Sequence, residues 1–145
     1  MYTFHVVGEP ASQGSKTRTR YGMKEASAKV RPWRNAVVAA VQDHGLAALY
    51  LNVPLSVSAT FYFDRPKSHF GTGKNAEVLK DSAPTYVART PDIDKCLRST
   101  FDGLTESGMI KDDSLIVQLR HIEQRYRIEG DPVQGATITI REQND

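Results

Sequence analysis

Apolar and polar positions along the chain follow two periods, one of two residues and one near four. In residues 2–8, Phe4 and Val6 oppose His5 and Val7, the pattern of a first strand. Residues 8–24 are rich in Gly, Ser, Thr and basic side chains with no apolar period, and read as an irregular loop. Trp33, Val37 and Val41, with Ala36 and Ala40 beside them, recur at i, i+4 and i+8. That stripe predicts an amphipathic helix with Pro32 in its first turn and Gly45 at its end. The clearest alternation spans 54–63, where Leu55, Val57, Ala59, Phe61 and Phe63 face one side and Ser56, Ser58, Thr60 and Tyr62 the other. Ile93, Leu97, Phe101 and Leu104 mark a second helix that stops near Gly108. A long strand follows over 114–127, then a turn at Gly130-Asp131-Pro132, then a last strand in which Ala136, Ile138 and Ile140 alternate with Thr137 and Thr139. The order β-α-β-α-β-β predicts an α+β fold: a mixed four-stranded sheet with two main helices packed against it.

Between the second strand and the second helix, residues 64–91 hold scattered Gly, Ser, Lys and Pro and few apolar anchors. Unstructured stretches of this length are uncommon inside compact domains and are usually functional or disordered. The whole chain has 145 residues, enough for one core, so residues 1–145 are read as one domain. With 39% hydrophobic and 25% charged residues it falls in the ordinary globular range, which excludes a disordered or fibrous chain. No apolar run approaches the roughly 18 residues of a membrane span, and the first residues lack the basic and apolar regions of a secretory signal. One cysteine, Cys96, excludes a disulfide framework and a cysteine-rich zinc site, and His5, His44, His69 and His121 show no metal-binding spacing. A cytoplasmic protein without a small-molecule cofactor or membrane partner is the expectation.

The net charge of +2 hides an uneven distribution. Residues 1–35 carry seven basic side chains against two acidic ones, and residues 65–91 carry five against two. Residues 92–113 reverse the sign with six acids against three bases. Two basic segments flanking a compact acidic one suit a phosphate-binding surface around carboxylates, as a metal-using nuclease needs. Within the basic part, Lys16, Arg18 and Arg20 are spaced so that one extended face presents all three to phosphates.

Asp92-Ile93-Asp94 and Asp112-Asp113 carry the chemistry. In a helix, i and i+2 point in nearly opposite directions, whereas in extended chain they share a face. Pro91 keeps the preceding residues out of helix, so both carboxylates can project together where the second helix begins. The plainer role for Asp92 or Asp94 is helix capping, and for Asp112-Asp113 a polar turn. The chemical alternative is a site for a hard cation such as Mg²⁺, which takes oxygen ligands and keeps several waters. A helix of about 15 residues is ~22 Å long, so the second pair cannot reach the first along the helix alone. It must return on the following strand or meet a second copy across an interface. Trp33 reads as core and Cys96 as packing. Phe70 is a candidate base wedge, His121 a polar or dimer-face residue, and Asp102 a salt-bridge partner for Arg98 at i, i+4.

The segment Pro91-Asp92-Ile93-Asp94-Lys95-Cys96-Leu97-Arg98, followed by Phe101-Asp102-Gly103-Leu104 and then Asp112-Asp113-Ser114-Leu115-Ile116, resembles the RusA family of Holliday junction resolvases. That family carries D-x-D-N-x-x-K, then F/L-D-x-L, then D-D-x-x-V/I. Gly8 and Pro10 with the downstream Lys16, Arg18 and Arg20 resemble its N-terminal glycine-proline and basic loop. Phe61 and Phe63 followed by Arg65-Pro66-Lys67-Ser68 resemble its strand ending in Pro-Lys-Ser. The resemblance implies a homodimeric, Mg²⁺-dependent endonuclease that cuts four-way DNA junctions symmetrically, with Asp92, Asp94 and Asp113 as catalytic metal ligands. Lys16, Arg18, Arg20, Lys67 and Lys95 are the expected DNA contacts. Two departures stand out: the family asparagine is Lys95 here, and its lysine is Arg98. Arginine keeps the charge and holds phosphate but does not release its proton, so Arg98 is expected to act as fixed positive charge. The rival readings are a non-catalytic DNA-binding protein and a nuclease directed at flaps or other branches.

Overall fold

The structure, a computed structural model, describes residues 1–13, 16–19, 22–25 and 28–143. Strand β1 (Tyr2–Val7) is followed by a short hairpin of β2 (Lys16–Thr19) and β3 (Gly22–Glu25), then helix α1 (Val30–Asp43) and strand β4 (Leu55–Phe63). Helix α2 (Ile93–Ser107), strand β5 (Ile116–Tyr126) and strand β6 (Gly135–Glu142) complete the chain. The main sheet has the order β1-β6-β4-β5, with β4 parallel to β5 and antiparallel to β6. The expected mixed four-stranded sheet with two helices is therefore present. The hairpin corrects the reading of residues 8–24 as wholly irregular, since β2 and β3 pair antiparallel from Lys16–Glu25 to Thr19–Gly22.

Strand β4 is the middle of the core because its alternation is complete: Leu55, Val57, Ala59, Phe61 and Phe63 are all buried. Trp33 of α1 meets Phe61 with ring centroids 6.4 Å apart, and Val37 and Val41 continue the same stripe inward. Helix α2 packs on α1 through a face of mostly small residues, Cys96, Ser99, Thr100, Gly103 and Ser107, together with Leu97 and Leu104. The expected stripe is thus rotated, with Ile93 exposed and Phe101 half-buried. At Gly103 a β-carbon would stand 2.8 Å from that of Val37, so the two helices meet closer than an alanine allows. Trp33 Nε1 donates to Thr100 Oγ1 at 3.0 Å, satisfying a buried donor across the same contact. Gly108, at φ +84°, ends α2 in the left-handed conformation that glycine adopts without strain.

The 64–91 excursion has more order than its composition suggests. It contains two short 3₁₀ turns, Lys67–His69 and Gly73–Asn75, and an isolated bridge between Phe70 and Leu79. Arg65 braces it, donating from Nε to the Arg127 carbonyl at 2.9 Å and from Nη1 to the Pro84 carbonyl at 2.7 Å. Its last part runs back along β5, where Tyr126 N–H donates to the Thr85 carbonyl and Val87 N–H to the Gln124 carbonyl. The chain is thereby delivered to the start of α2 at a fixed place beside the sheet.

Candidate active site

Asp92 occupies the position just before the first turn of α2, with extended backbone, and Asp94 lies inside that turn. Helix geometry begins one residue too early for both to sit on one extended segment, which corrects that part of the sequence reading. Asp92 nevertheless makes no capping hydrogen bond with its side chain. It faces Lys95 Nζ at 3.5 Å, and both side chains are substantially exposed. Asp94 forms no ion pair or side-chain hydrogen bond among the described residues and is exposed. Neither carboxylate makes a capping hydrogen bond, although both stand at the helix start, where negative charge is favoured.

Hydrogen bonds from two sides hold this helix start in place. Gln124 of β5 donates from Nε2 to the carbonyls of Val87 and Pro91, both at 2.9 Å, fastening the chain one residue ahead of Asp92. From the other side, Gln13 N–H donates to the Lys95 carbonyl at 3.1 Å and Ser99 Oγ to the Ala11 carbonyl at 2.6 Å. Lys16 follows Gln13 by three residues, a span of at most roughly 10 Å in extended chain. The root of the basic hairpin thus lies close to the acidic helix start. Lys16 and Arg18 are on β2, Arg20 lies outside the described residues, and Lys67 is exposed on the 64–91 excursion.

Asp112 and Asp113 sit at the far half of α2. Asp112 accepts from Ser114 N–H at 3.0 Å, and this bonding to Ser114 holds its carboxyl below the usual range. Asp112 is thus engaged in the turn that precedes β5. Asp113 is exposed and makes no such bond among the described residues. It shares a shallow concavity with Asp102, Asp112, Glu106, Thr105 and Arg34. Burial holds the Asp102 carboxyl above its ordinary value; the Arg34 guanidinium, 3.1 Å away, opposes this, and the charges of Asp113 and Glu106 add to it. Arg34 is also bonded to Gln13, so Asp102 pairs with α1 rather than with Arg98 as the sequence suggested. Arg98 is exposed at i+4 from Asp94 and i−4 from Asp102, one basic side chain on a ridge between two acids.

The separation is the main geometric result. Asp113 neighbours Asp102, which lies about 12 Å along the helix axis from Asp94. Among the described residues no group of three His, Cys, Asp or Glu side chains converges closely enough to hold a metal ion. Within one chain Asp92 and Asp94 stand at the start of α2, and Asp113 lies beside Asp102 and Glu106 of its far half. Sequence reasoning did not foresee the roles of Arg34, Gln13 and Gln124, which act through contacts distant along the chain. Asp102 was read from the sequence as the i, i+4 partner of Arg98, and the structure pairs it with Arg34. Cys96 is fully buried, and burial, with the nearby Asp92 and Asp94 charges, pushes its thiol up to about 12, so it stays protonated and serves packing. Phe70 is half-buried and lines a cavity of about 600 Å³ with Leu79, Ile128 and Arg127, away from the carboxylates.

Comparison with known families places this arrangement. A family model described as Endodeoxyribonuclease RusA matches residues 8–141, from the segment that packs on α2 through nearly the end of β6. The chain belongs to the RusA endodeoxyribonuclease family. Both acidic elements and the basic hairpin of this RusA-family chain fall inside the matched span. No curated protein matches it. None of its helices, among the described residues, is long and apolar enough to cross a membrane.

Proposed function

We propose that this RusA-family protein is a divalent-metal-dependent endonuclease that resolves four-way DNA junctions by paired cuts, acting in recombination and repair as a cytoplasmic homodimer. The observation that carries the reading is the coincidence of the family match with carboxylates that make no side-chain hydrogen bond among the described residues. Asp92 is at a capping position yet caps nothing, and Asp94 and Asp113 are exposed and unbonded among the described residues. Their neighbour Asp112 is the one engaged in the turn. Aspartate oxygens suit a hard cation, so Mg²⁺ is the proposed ion, with Asp92, Asp94 and Asp113 its proposed holders. These three do not converge within one chain.

The protein's own side chains supply the rest. Arg98, on the ridge between Asp94 and Asp102, is proposed to set fixed positive charge against the phosphate under attack. Lys95 beside Asp92, with Lys16, Arg18 and Arg20 of the hairpin region and Lys67, is proposed to bind the DNA backbone. A dimer suits the substrate because two matching cuts need two sites related by a two-fold axis.

The test is a nicking assay with a synthetic four-way junction, a flap and a linear duplex, each with Mg²⁺ and then with EDTA. The expected result is junction cleavage only with Mg²⁺. The replacements at Lys95 and Arg98 favour one rival, a protein that binds without cutting. Tight junction binding with no cleavage under any divalent ion would establish that rival. Preferred cutting of the flap would move the substrate to other branched DNA.

A further inference from the structure

The 64–91 excursion and the turn after β5 enclose a hollow of about 600 Å³, a volume in the range of small-ligand sites. One wall is a miniature hairpin in which Phe70 bridges Leu79. Gly71 N–H donates there to the Val78 carbonyl and Lys80 N–H to the His69 carbonyl, both at 2.9 Å. The opposite wall carries Ile128, whose N–H is held by Asp131 Oδ2 at 2.9 Å, and Glu129. Both arginines of the lining are already engaged. Arg127 pairs with Asp64 at 2.9 Å, and Arg65 donates to the Arg127 and Pro84 carbonyls. Glu77 and Glu129 are not: both line the hollow, are exposed, and make no ion pair or side-chain hydrogen bond among the described residues. The excursion around them is basic, with Lys67, Lys74, Lys80 and Arg89 exposed and without an ion pair among the described residues. These cations gather near the hairpin wall, where desolvation and then the charges of Arg65, Arg89 and Lys80 hold His69 below its ordinary pKa.

The geometry points to this hollow as a pocket for one unstacked nucleobase that carries an exocyclic amino group, drawn from the DNA being cut. Phosphate is the wrong occupant, because the two free carboxylates repel it. Carboxylates set into a basic surface suit amino groups instead, as when Glu or Asp accepts from cytosine N4. The Phe70 ring, beside Leu79 and Ile128, offers the apolar face on which a base stacks. The lysines of the excursion and Arg89 then hold the flanking phosphates. Position agrees with chemistry. Asp64 also lines the next hollow along, with Arg89, Thr90 and Pro91, so the two adjoin and the second ends one residue before Asp92. Unstacking costs least where pairing is already interrupted, as it is at a branch point. The pocket therefore gives the enzyme a preference at that position for adenine, cytosine or guanine over thymine, which has no amino group. The substrate in this inference rests on the junction-nuclease reading above.

Four-way junctions carrying 2-aminopurine, an amino-bearing base that brightens when it unstacks, test the pocket. The probe is placed in turn at each position beside the branch point, and binding is followed in EDTA so that the readout needs no cutting. Wild type should brighten the probe at one such position. In competition binding with natural bases there, it should prefer cytosine over thymine by on the order of tenfold. Glu77→Ala combined with Glu129→Ala, both exposed changes expected to preserve the circular dichroism spectrum, should reduce that preference to about twofold or less. Phe70→Leu, which keeps an apolar wall and removes the ring, should lower the brightening by about fivefold. Junction binding without brightening at any position overturns the base pocket, whatever the cutting assay gives. A preference for cytosine that survives in the folded double variant overturns it equally. Brightening and preference in a protein that cuts with no divalent ion support the pocket and overturn the nuclease reading alone. A wild type that does not bind the junction overturns both.

Discussion

At the scale of single residues, the carboxylates divide by what each already does in the fold. Asp92, Asp94 and Asp113 bear no hydrogen bond that folding needs, so changing each to Asn should alter stability by no more than about 0.5 kcal/mol. The same changes should abolish metal-dependent cleavage while junction binding survives, because binding rests on basic side chains. Asp112→Asn should keep most activity, since Asp112 serves its turn. Thermal melts, gel shifts and nicking assays on the four proteins check this, and full activity in Asp113→Asn contradicts the assignment. Arg98 separates two kinds of chemistry. As fixed charge, it should tolerate Arg98→Lys within roughly tenfold in rate, about 1.4 kcal/mol of barrier. Arg98→Ala should cost on the order of 10²-fold or more. Single-turnover rates measure both, and an Arg98→Ala enzyme at wild-type rate removes Arg98 from the site. These residues were legible in the sequence because acids at fixed spacing survive as a local signal. The Arg34–Asp102 pair was not, because its members sit on different helices and nothing near either one encodes the other.

At the scale of elements, α2 is placed by close contact rather than by bulk. Gly103 lets it approach Val37, and a β-carbon there would stand 2.8 Å from the valine's own. Gly103→Ala gains about 1 kcal/mol of helix propensity but overpacks the contact, which typically costs ~1–3 kcal/mol. A net loss of up to about 2 kcal/mol is expected, a fall in Tm of up to ~6 °C for a domain of this size. A rise in Tm by differential scanning calorimetry contradicts the close helix contact. This is also why the sequence misplaced the buried face of α2: periodicity weights large apolar residues, and here Cys96, Ser99, Thr100 and Ser107 do the packing. The strands β1, β4 and β6 and helix α1 were legible because each buries one regular face in the common core. The β2–β3 hairpin escaped notice because, of its eight residues, only Met23 is a large apolar one, leaving no alternation to read.

At the scale of the whole molecule, a basic arm and an acidic helix start combine with a proposed two-fold partner. The basic arm predicts a salt effect: replacing Lys16, Arg18 and Arg20 together by Ala should weaken junction binding and flatten its log–log dependence on salt. Each phosphate that is no longer neutralised lowers the slope by about 0.9. An unchanged slope across a salt titration by fluorescence anisotropy takes this segment off the interface. The most direct test of the central claim, paired cutting of a four-way junction, uses a supercoiled plasmid that extrudes a cruciform. Two coordinated cuts within one bound complex convert it straight to linear DNA, so linear product should appear from the first time point with Mg²⁺ and vanish with Asp94→Asn. Accumulation of nicked circles alone, or linearisation that persists in Asp94→Asn, would contradict it.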